Sequence, residues 1–277
     1  MRTKTRLTIT LTQDLLQSID SLINGVSIKN RSHAIETLIK RSLSPRIHTA
    51  VILAGGDLAG KNNSALTKLG SSTLLAYTLS MLKKHHLNRV IICLGKDDQP
   101  IMKLFGNGEN LGLTIEYSLE EKPLGTGGAV KKIQPLLSSG PFLVMHSDVL
   151  TTINLTELFK FHFDEKTLAT IAVKPRMGEL KYGQVFIQGN HIIRFLEKGV
   201  ESGISIINTG VYVFEPKVFE LFPKKESFTL EKEVFPLLAS RGQLSAFFFQ
   251  GRWFDIRTPA SYKTARERWK EIAGSLS

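Results

Sequence analysis

Apolar and polar positions follow two regimes along this chain. Over the first 46 residues the apolar spacing changes quickly. Thr5 to Leu11 alternates, with Leu7, Ile9 and Leu11 on one side and Arg6, Thr8 and Thr10 on the other. That period of two predicts a short strand over 5–11 with one buried face. Leu15, Leu16, Ile19, Leu22 and Ile23 then follow helical spacing. Thr12 is placed to cap this helix, Asp14 is favourable in its first turn, and Asn24-Gly25 stops it. A second helix begins near residues 30–32 and runs on Ile35, Leu38, Ile39 and Leu43, with Pro45 closing the segment.

From residue 47 the pattern lengthens. Residues 47–53, 89–94, 114–118 and 142–146 read as buried strands, and 72–84, 99–105 and 128–137 as helices between them. That alternation predicts an α/β fold with a mostly parallel sheet, right-handed crossovers and helices on both faces. After Leu155 the strands at 168–173, 184–187, 192–196, 205–214 and 244–249 come with fewer helices, and Pro259 starts a terminal amphipathic helix through Ile272. The expected division is a small module over 1–46 and a domain over 47–277.

Charge changes the picture in one respect. The chain carries a formal +11, and residues 1–46 hold eight Lys/Arg against three Asp/Glu. The excess is densest at the front, which suits an acidic partner such as nucleic acid or phosphorylated small molecules, or a solvated basic surface. Cys93 is the single cysteine, so no internal disulfide forms and a reducing compartment fits. With no signal-like or membrane-length apolar run, the expectation is a cytoplasmic protein.

Candidate chemistry begins where the first long strand ends. Ala50 to Ala54 is apolar, Gly55-Gly56 ends it, and 57–64 is polar. Glycines at the carboxyl end of a buried strand let backbone approach a phosphate. The run Gly55-Gly56-Asp57-Leu58-Ala59-Gly60 misplaces the glycines of the dinucleotide fingerprint. Gly55 with Gly60-Lys61-Asn62 nearly spells a Walker A loop, but Asn62 stands where a hydroxyl is needed for magnesium.

Two resemblances organise the rest. The strand–helix–helix pattern over residues 3–44 resembles the ribbon-helix-helix family of DNA-binding proteins. It implies a homodimer or higher even-numbered oligomer with paired strands, since so small a unit buries no core alone. By resemblance, Arg6, Thr8 and Thr10 read base edges in the major groove. The run Lys29-Asn30-Arg31-Ser32 matches the second-helix start, where amides grip a DNA phosphate. A plain dimerisation arm has the same apolar pattern.

From about residue 48 to 268 the chain resembles the sugar-1-phosphate nucleotidyltransferases (nucleotide-sugar pyrophosphorylases). The resemblance rests on Ala50-Val51-Ile52-Leu53-Ala54-Gly55-Gly56, Ala65-Leu66-Thr67-Lys68-Leu69-Gly70, Glu121-Lys122-Pro123-Leu124-Gly125-Thr126-Gly127-Gly128-Ala129 and Phe142-Leu143-Val144-Met145-His146-Ser147-Asp148. Tyr182-Gly183, Glu197-Lys198, Asn208-Thr209-Gly210 and Trp253-Phe254-Asp255-Ile256-Arg257-Thr258-Pro259 then follow in order. It implies a Rossmann-like nucleotidyltransferase sheet and a reaction in which a sugar-1-phosphate oxygen attacks the α-phosphorus of a nucleoside triphosphate. Asp148 and Asp255 would hold Mg²⁺, and Lys198 would meet the sugar phosphate. Gly55, Gly56, Glu121, Gly125, Thr126, Gly127, Gly183, Glu197 and Asn208 would line the nucleotide and sugar. An aspartate after a strand also serves as a cap, and Gly125 to Gly127 also suit a plain tight turn.

The chain departs from that family at its opening loop. No Arg occurs between Gly56 and Ala65, Asn63-Ser64 stands at the usual Pro-Lys, and only Lys61 and Lys68 remain as nearby cations. Losing one charge clamp of this kind costs on the order of 10²–10³ in rate. Arg257 replaces the usual glycine beside Asp255. The expectation is a DNA-binding transcriptional regulator whose second domain binds a sugar phosphate or nucleotide-sugar as effector. The alternative is an active Mg-dependent nucleotidyltransferase in which Lys61 or Lys68 replaces the lost clamp.

Overall fold

Polar side chains, more than apolar ones, set the element ends in the front unit. Thr12 is extended at the start of α1 (Gln13–Asp20), although its hydroxyl makes no capping bond. Asn24 Oδ1 then accepts the amides of Val26, Ser27 and Ile28 at 3.1, 2.9 and 3.0 Å, and Gly25 takes a φ of +71°. Asn30 Oδ1 accepts the His33 amide at 2.9 Å and caps α2 (Arg31–Leu43). The computed structural model describes residues 8–43, 46–55, 63–177, 182–197, 203–257 and 259–276. It divides into two units, Met1–Pro45 and Arg46–Ser277.

In the first unit the helices bury Ile19 and Ala34, while Leu15 (49%), Ile39 (46%), Leu22, Leu38 and Ile9 stay exposed. The strand expected over 5–11 is not seen in its described part, because residues 8–11 carry no strand pairing. Among the described residues of this unit no second strand is present for it to pair with. Arg6 lies outside the described residues. Thr8 and Thr10 are exposed.

In the second unit the elements follow in order. They are β1 (Thr49–Leu53), β2 (Lys68–Leu69), β3 (Ser72–Thr73), α3 (Leu74–Lys84), β4 (Arg89–Gly95), α4 (Gln99–Phe105) and β5 (Thr114–Glu120). Next come α5 (Gly125–Lys132), β6 (Phe142–His146), β7 (Val149–Thr151), α6 (Leu155–Glu165), β8 (Ala169–Met177), β9 (Gln184–Gln188) and β10 (His191–Leu196). The chain ends with β11 (Ile204–Phe214), α7 (Phe235–Ser240), β12 (Leu244–Phe248), β13 (Trp253–Asp255) and α8 (Pro259–Leu276).

Nine strands form one sheet in the order β5-β4-β1-β6-β11-β8-β12-β10-β9. The first four are mutually parallel, and β12 pairs parallel with β8; β11, β10 and β9 bring the antiparallel pairings. Every residue of β1 is buried, as expected of a central parallel strand covered on both faces. Successive residues feed opposite cores. Ile52 packs with Leu79, Ile92 and Met145 on one face, and Val51 packs with Ile91, Val144 and Tyr212 on the other. The parallel register sets Leu53 level with Cys93 and His146, so the exits of β1, β4 and β6 share one edge. Among the described residues no helix is long and apolar enough to cross a membrane.

Helix α6 was not expected from the apolar pattern. Asn154 starts it, its Oδ1 accepting the amides of Thr156 and Glu157. Inside it, His162 Nδ1 meets Thr170 Oγ1 at 2.8 Å, and Thr170 continues to Ser245 and Thr167. Glu215 Oε1 lies 3.4 Å from His162 Nε2, yet burial pushes the imidazole pKa down to about 4, so the ring is neutral near pH 7. An unfolded histidine titrates near about 6.5, so stability is full above that value and is lost as pH falls toward about 4. The linkage amounts to on the order of 3 kcal/mol at about pH 4. His162→Gln should flatten the fall in urea midpoint between about pH 7 and about pH 4.5. An unchanged slope removes His162 as its cause.

Candidate functional site

The shared strand edge gathers the site. β6 ends at His146, the Ser147 amide donates to Leu53 O at 3.0 Å, and the chain turns through Asp148 into β7. β7 pairs antiparallel with β13, which sets Asp255 opposite Val149, and the Ile256 amide donates to Asp148 O at 3.0 Å. Two carboxylates far apart in sequence are thereby brought together. Asp148 is 3% exposed and Asp255 6%.

Arg257 spans them. Its Nε donates to both oxygens of Asp255 at 3.0 Å, and Nη2 reaches Asp255 Oδ2 at 2.6 Å. Its backbone amide donates to Asp255 Oδ1 at 3.0 Å. Nε also lies 3.1 Å from Asp148 Oδ2. Burial pushes the Asp148 carboxyl above its ordinary range, opposed by the charges of His146 and Arg257. The hydrogen bonds to Asp255 raise the Arg257 pKa further above its already high value. Tyr182 faces the same group. Burial, then the Asp255 charge, pushes its phenol up, and its ring meets Trp253 edge-on at 5.4 Å between centroids.

Mg²⁺ prefers carboxylate oxygens that are free to take octahedral positions. Here both oxygens of Asp255 and one of Asp148 face a guanidinium, and among the described residues no group of three or more His, Cys, Asp or Glu gathers to hold a metal. As arranged, the pair does not fit a divalent ion.

The glycine motif lies across the edge. Glu120 ends β5, and its Oε2 accepts the Leu124 amide at 3.0 Å; burial raises its pKa. The amides of Gly127 and Gly128 donate to Phe228 O at 3.0 and 3.1 Å. A Cβ on Gly125 would stand 2.5 Å from Phe228 O, one on Gly127 2.3 Å from the Phe228 ring, and one on Gly128 2.3 Å from Glu226 O. These glycines therefore admit residues 226–228, and the amides of Gly127 and Gly128 are committed to protein. Exposed Glu121 borders a cavity of about 400 Å³ with Lys122, Lys131, Lys132 and Glu226.

Thr126 leads inward. Its hydroxyl donates to Glu231 Oε2 at 2.6 Å and accepts the Leu230 amide at 2.9 Å. Glu231 Oε1 is 3.4 Å from Tyr212 OH and 3.8 Å from His146 Nε2. Asn208 Nδ2 donates to Tyr212 OH at 2.8 Å, and Asn208 Oδ1 accepts the Gly210 amide. Asn208 opens a bulge in β11, where the register shifts before Tyr212 and Gly210 takes a φ of +76°. A Cβ on Gly210 would press on Val149 and His146 at 3.2 and 3.3 Å. Trp253 Nε1 donates to Thr209 O at 2.8 Å, which ties β13 to the bulge. Gly183 sits beside it, its carbonyl accepting the Asn208 amide at 2.9 Å.

Glu231 and Tyr212 were missed in the sequence. The signal for Glu231 was Thr229 followed by Glu231 and Glu233 in an apolar run, a helix-start pattern. Thr229 does cap that turn, accepting the Lys232 amide, and Glu233 Oε2 accepts the Thr229 amide.

The remaining expected residues are dispersed. Gly55 brings β1 against β4, with a Cβ position 3.1 Å from Gly95 N. Gly56, Lys61 and Lys198 lie outside the described residues. Asn63 is buried, and its Nδ2 donates to Ala54 O at 2.7 Å and Asp98 Oδ1 at 2.9 Å, which fixes the end of the loop. Lys68 is exposed on the β2–β3 hairpin, with its carbonyl accepting Tyr262 OH. Glu197 follows β10, half-buried. In the front unit Arg31 is paired with Asp20 at 2.6 and 2.7 Å, while Ser32 is exposed in the first turn of α2.

Known proteins resemble this chain in sequence and fold. The D-glycero-alpha-D-manno-heptose 1-phosphate guanylyltransferase of Aneurinibacillus thermoaerophilus is 30% identical over 224 residues, covering 79% of this chain and 96% of that protein. The mannose-1-phosphate guanylyltransferase catalytic subunit beta of Xenopus tropicalis is 32% identical over 226 residues, and the match spans 78% of this chain but only 62% of that longer protein. The crystal structure of HddC from Yersinia pseudotuberculosis superposes with a TM-score of 0.71 at 25% identity, over 80% of this chain and all of that one. Residues 49–271 match the nucleotidyl transferase family, and the chain belongs to it.

Proposed function

We propose that the Arg46–Ser277 unit joins a nucleotide to a sugar 1-phosphate. A phosphate oxygen of the sugar attacks the α-phosphorus of a nucleoside triphosphate, and the bond to the β-phosphate oxygen breaks to release pyrophosphate. The observation that carries this reading is the convergence of Asp148 and Asp255, with Tyr182 beside them, at the shared edge of β1, β4 and β6. In open α/β sheets the crevice at the carboxyl ends of the strands is where ligands bind. The names of the relatives make GTP and a hexose or heptose 1-phosphate the first substrates to test.

The reaction needs no covalent intermediate, so its demands are in-line placement of two anions and neutralisation of charge. The chain's own residues supply a rigid frame for both. The Thr126–Glu231–Tyr212–Asn208 hydrogen bonds tie the glycine motif to the β11 bulge, and Trp253 ties that bulge to β13. Lys61, Lys68 and Lys198 are the proposed anion-facing cations, with Gly55, Gly56, Glu121 and Glu197 at the ligand's edges. The family's Mg²⁺ belongs to this reading only once Arg257 has released the aspartates. The decisive assay follows pyrophosphate release with GTP and mannose 1-phosphate, then a panel of triphosphates and sugar 1-phosphates. Release should occur with at least one pair and fall by about 10²-fold or more in Asp148→Asn. No release with any pair, or an unaffected variant, defeats the transferase reading.

A second reading concerns the front unit. Both of its helices keep large apolar side chains exposed, which favours a partner over an independent monomer. We infer a ribbon-helix-helix dimer that binds DNA through Arg6, Thr8 and Thr10, which would make the second unit an effector-binding domain. DNA affinity should fall steeply with salt and drop in Arg6→Ala, while light scattering gives a dimer. A monomer at micromolar concentration that leaves DNA unbound at low salt would falsify this reading. Sugar-nucleotide binding without turnover would favour it over the transferase.

A further inference from the structure

Two adjacent buried carboxylates need a positive charge close by. In this chain it comes from the chain itself. The guanidinium of Arg257 engages both oxygens of Asp255 and Oδ2 of Asp148, and the Arg257 amide adds a further bond to Asp255. The contact is local and directional, because Arg257 is two residues after Asp255 and its planar fork matches a carboxylate. We propose that Arg257 is a built-in counter-cation that takes the place of a divalent ion at Asp148 and Asp255, so that a metal binds there only by displacing it. The proposal rests on the reading of this pair as the centre of the transferase site.

The charge balance gives this substitution a consequence. Two carboxylates with one guanidinium carry a formal −1, whereas the same pair with a divalent ion is neutral. A centre left at −1 repels a triphosphate more than it repels a sugar phosphate or a nucleotide-sugar, which carry fewer charges. Arg257 thus biases the resting site against the triphosphate. It also has a way out: its side chain is 48% exposed while the carboxylates it covers are not. The guanidinium can swing into solvent without unpacking the core, and the aspartates, held just before β7 and at the end of β13, stay where they are. Competition of this kind lowers the apparent metal affinity by the fraction of molecules in which the pair is free.

Mn²⁺ is the probe, followed by the electron paramagnetic resonance of the free ion, with no nucleotide or sugar present. Arg257→Ala should take up Mn²⁺ with a dissociation constant at least about tenfold below that of the unaltered protein. Arg257→Gln, which keeps most of the side chain but not its charge, should do the same and covers the case in which the alanine variant does not fold. Thermal denaturation gives an independent readout. Either variant should melt lower than the parent in chelator and recover on adding Mn²⁺, whereas the parent should hardly respond. Equal Mn²⁺ affinity in parent and folded variant, or no uptake by the variant, overturns the proposal. Because the readout uses no substrate, a failed turnover assay leaves this result intact, and the reverse also holds.

Discussion

A carboxylate with almost no water around it must find a positive charge or take up a proton, and Asp148 is in that position. Its place is fixed by backbone. The turn after β6, the Ser147 amide on Leu53 and the Ile256 amide on the Asp148 carbonyl leave it little freedom. β13 is then held beside β7 by main-chain pairing and by Trp253 on the β11 bulge, which brings in a second acidic group. Electrostatics permits that geometry with a cation between the two or a proton on one of them. Arg257 meets the requirement from within the same short segment. Leaving either carboxylate charged and without a counter-charge would cost several kcal/mol, so the ion pair stabilises the local fold as well as shaping the site.

Much of this fold was legible because its central strands, such as β1, β4 and β6, are buried on both faces and read as continuous apolar runs. The bounds of β6 and α4 agree with the pattern to the residue, and β1, β4, β5 and β8 to β12 begin within two residues of expectation. What was not legible has separate causes. Helix α6 spreads Leu155, Leu158, Phe159, Phe161 and Phe163 around its axis and buries a histidine in a polar cluster with Thr170 and Ser245, which blurs its apolar stripe. β7 and β13 are three residues each, too short for any period, yet they bring the two aspartates together. The strand expected over 5–11 is the reverse case: the sequence pattern predicts it, and its described part, 8–11, carries no strand pairing.

The site was legible in parts and for mixed reasons. Asp148 and Asp255, named from motifs far apart in sequence, stand beside one another, with a guanidinium and no room for the implied metal between them. Gly125, Gly127 and Gly128 are needed as glycines, but the cause is the crossing of residues 226–228 at less than 3 Å from any Cβ. Asn208-Thr209-Gly210 likewise shapes a bulge whose left-handed glycine lets His146 and Val149 approach. A motif quoted from a family mixes residues that meet ligand with residues that let two segments pass closely. Sequence order cannot separate them; a Cβ distance can.

The same distinction bears on how the two sides of the site communicate. Thr126, Glu231, Tyr212 and Asn208 form an unbroken path of polar contacts from the glycine motif to the β11 bulge. Trp253 continues it to β13, the strand that ends at Asp255. Each of these groups already has a protein partner. A ligand that takes a hydrogen bond from Thr126 or Asn208 must therefore draw it from a neighbour, and in a buried network the neighbour left short loses more than an exposed group would. The glycine motif and the acidic pair are thus joined by a run of contacts and not by proximity alone. The contacts end at Asp255, whose carboxylate is paired with the half-exposed guanidinium of Arg257.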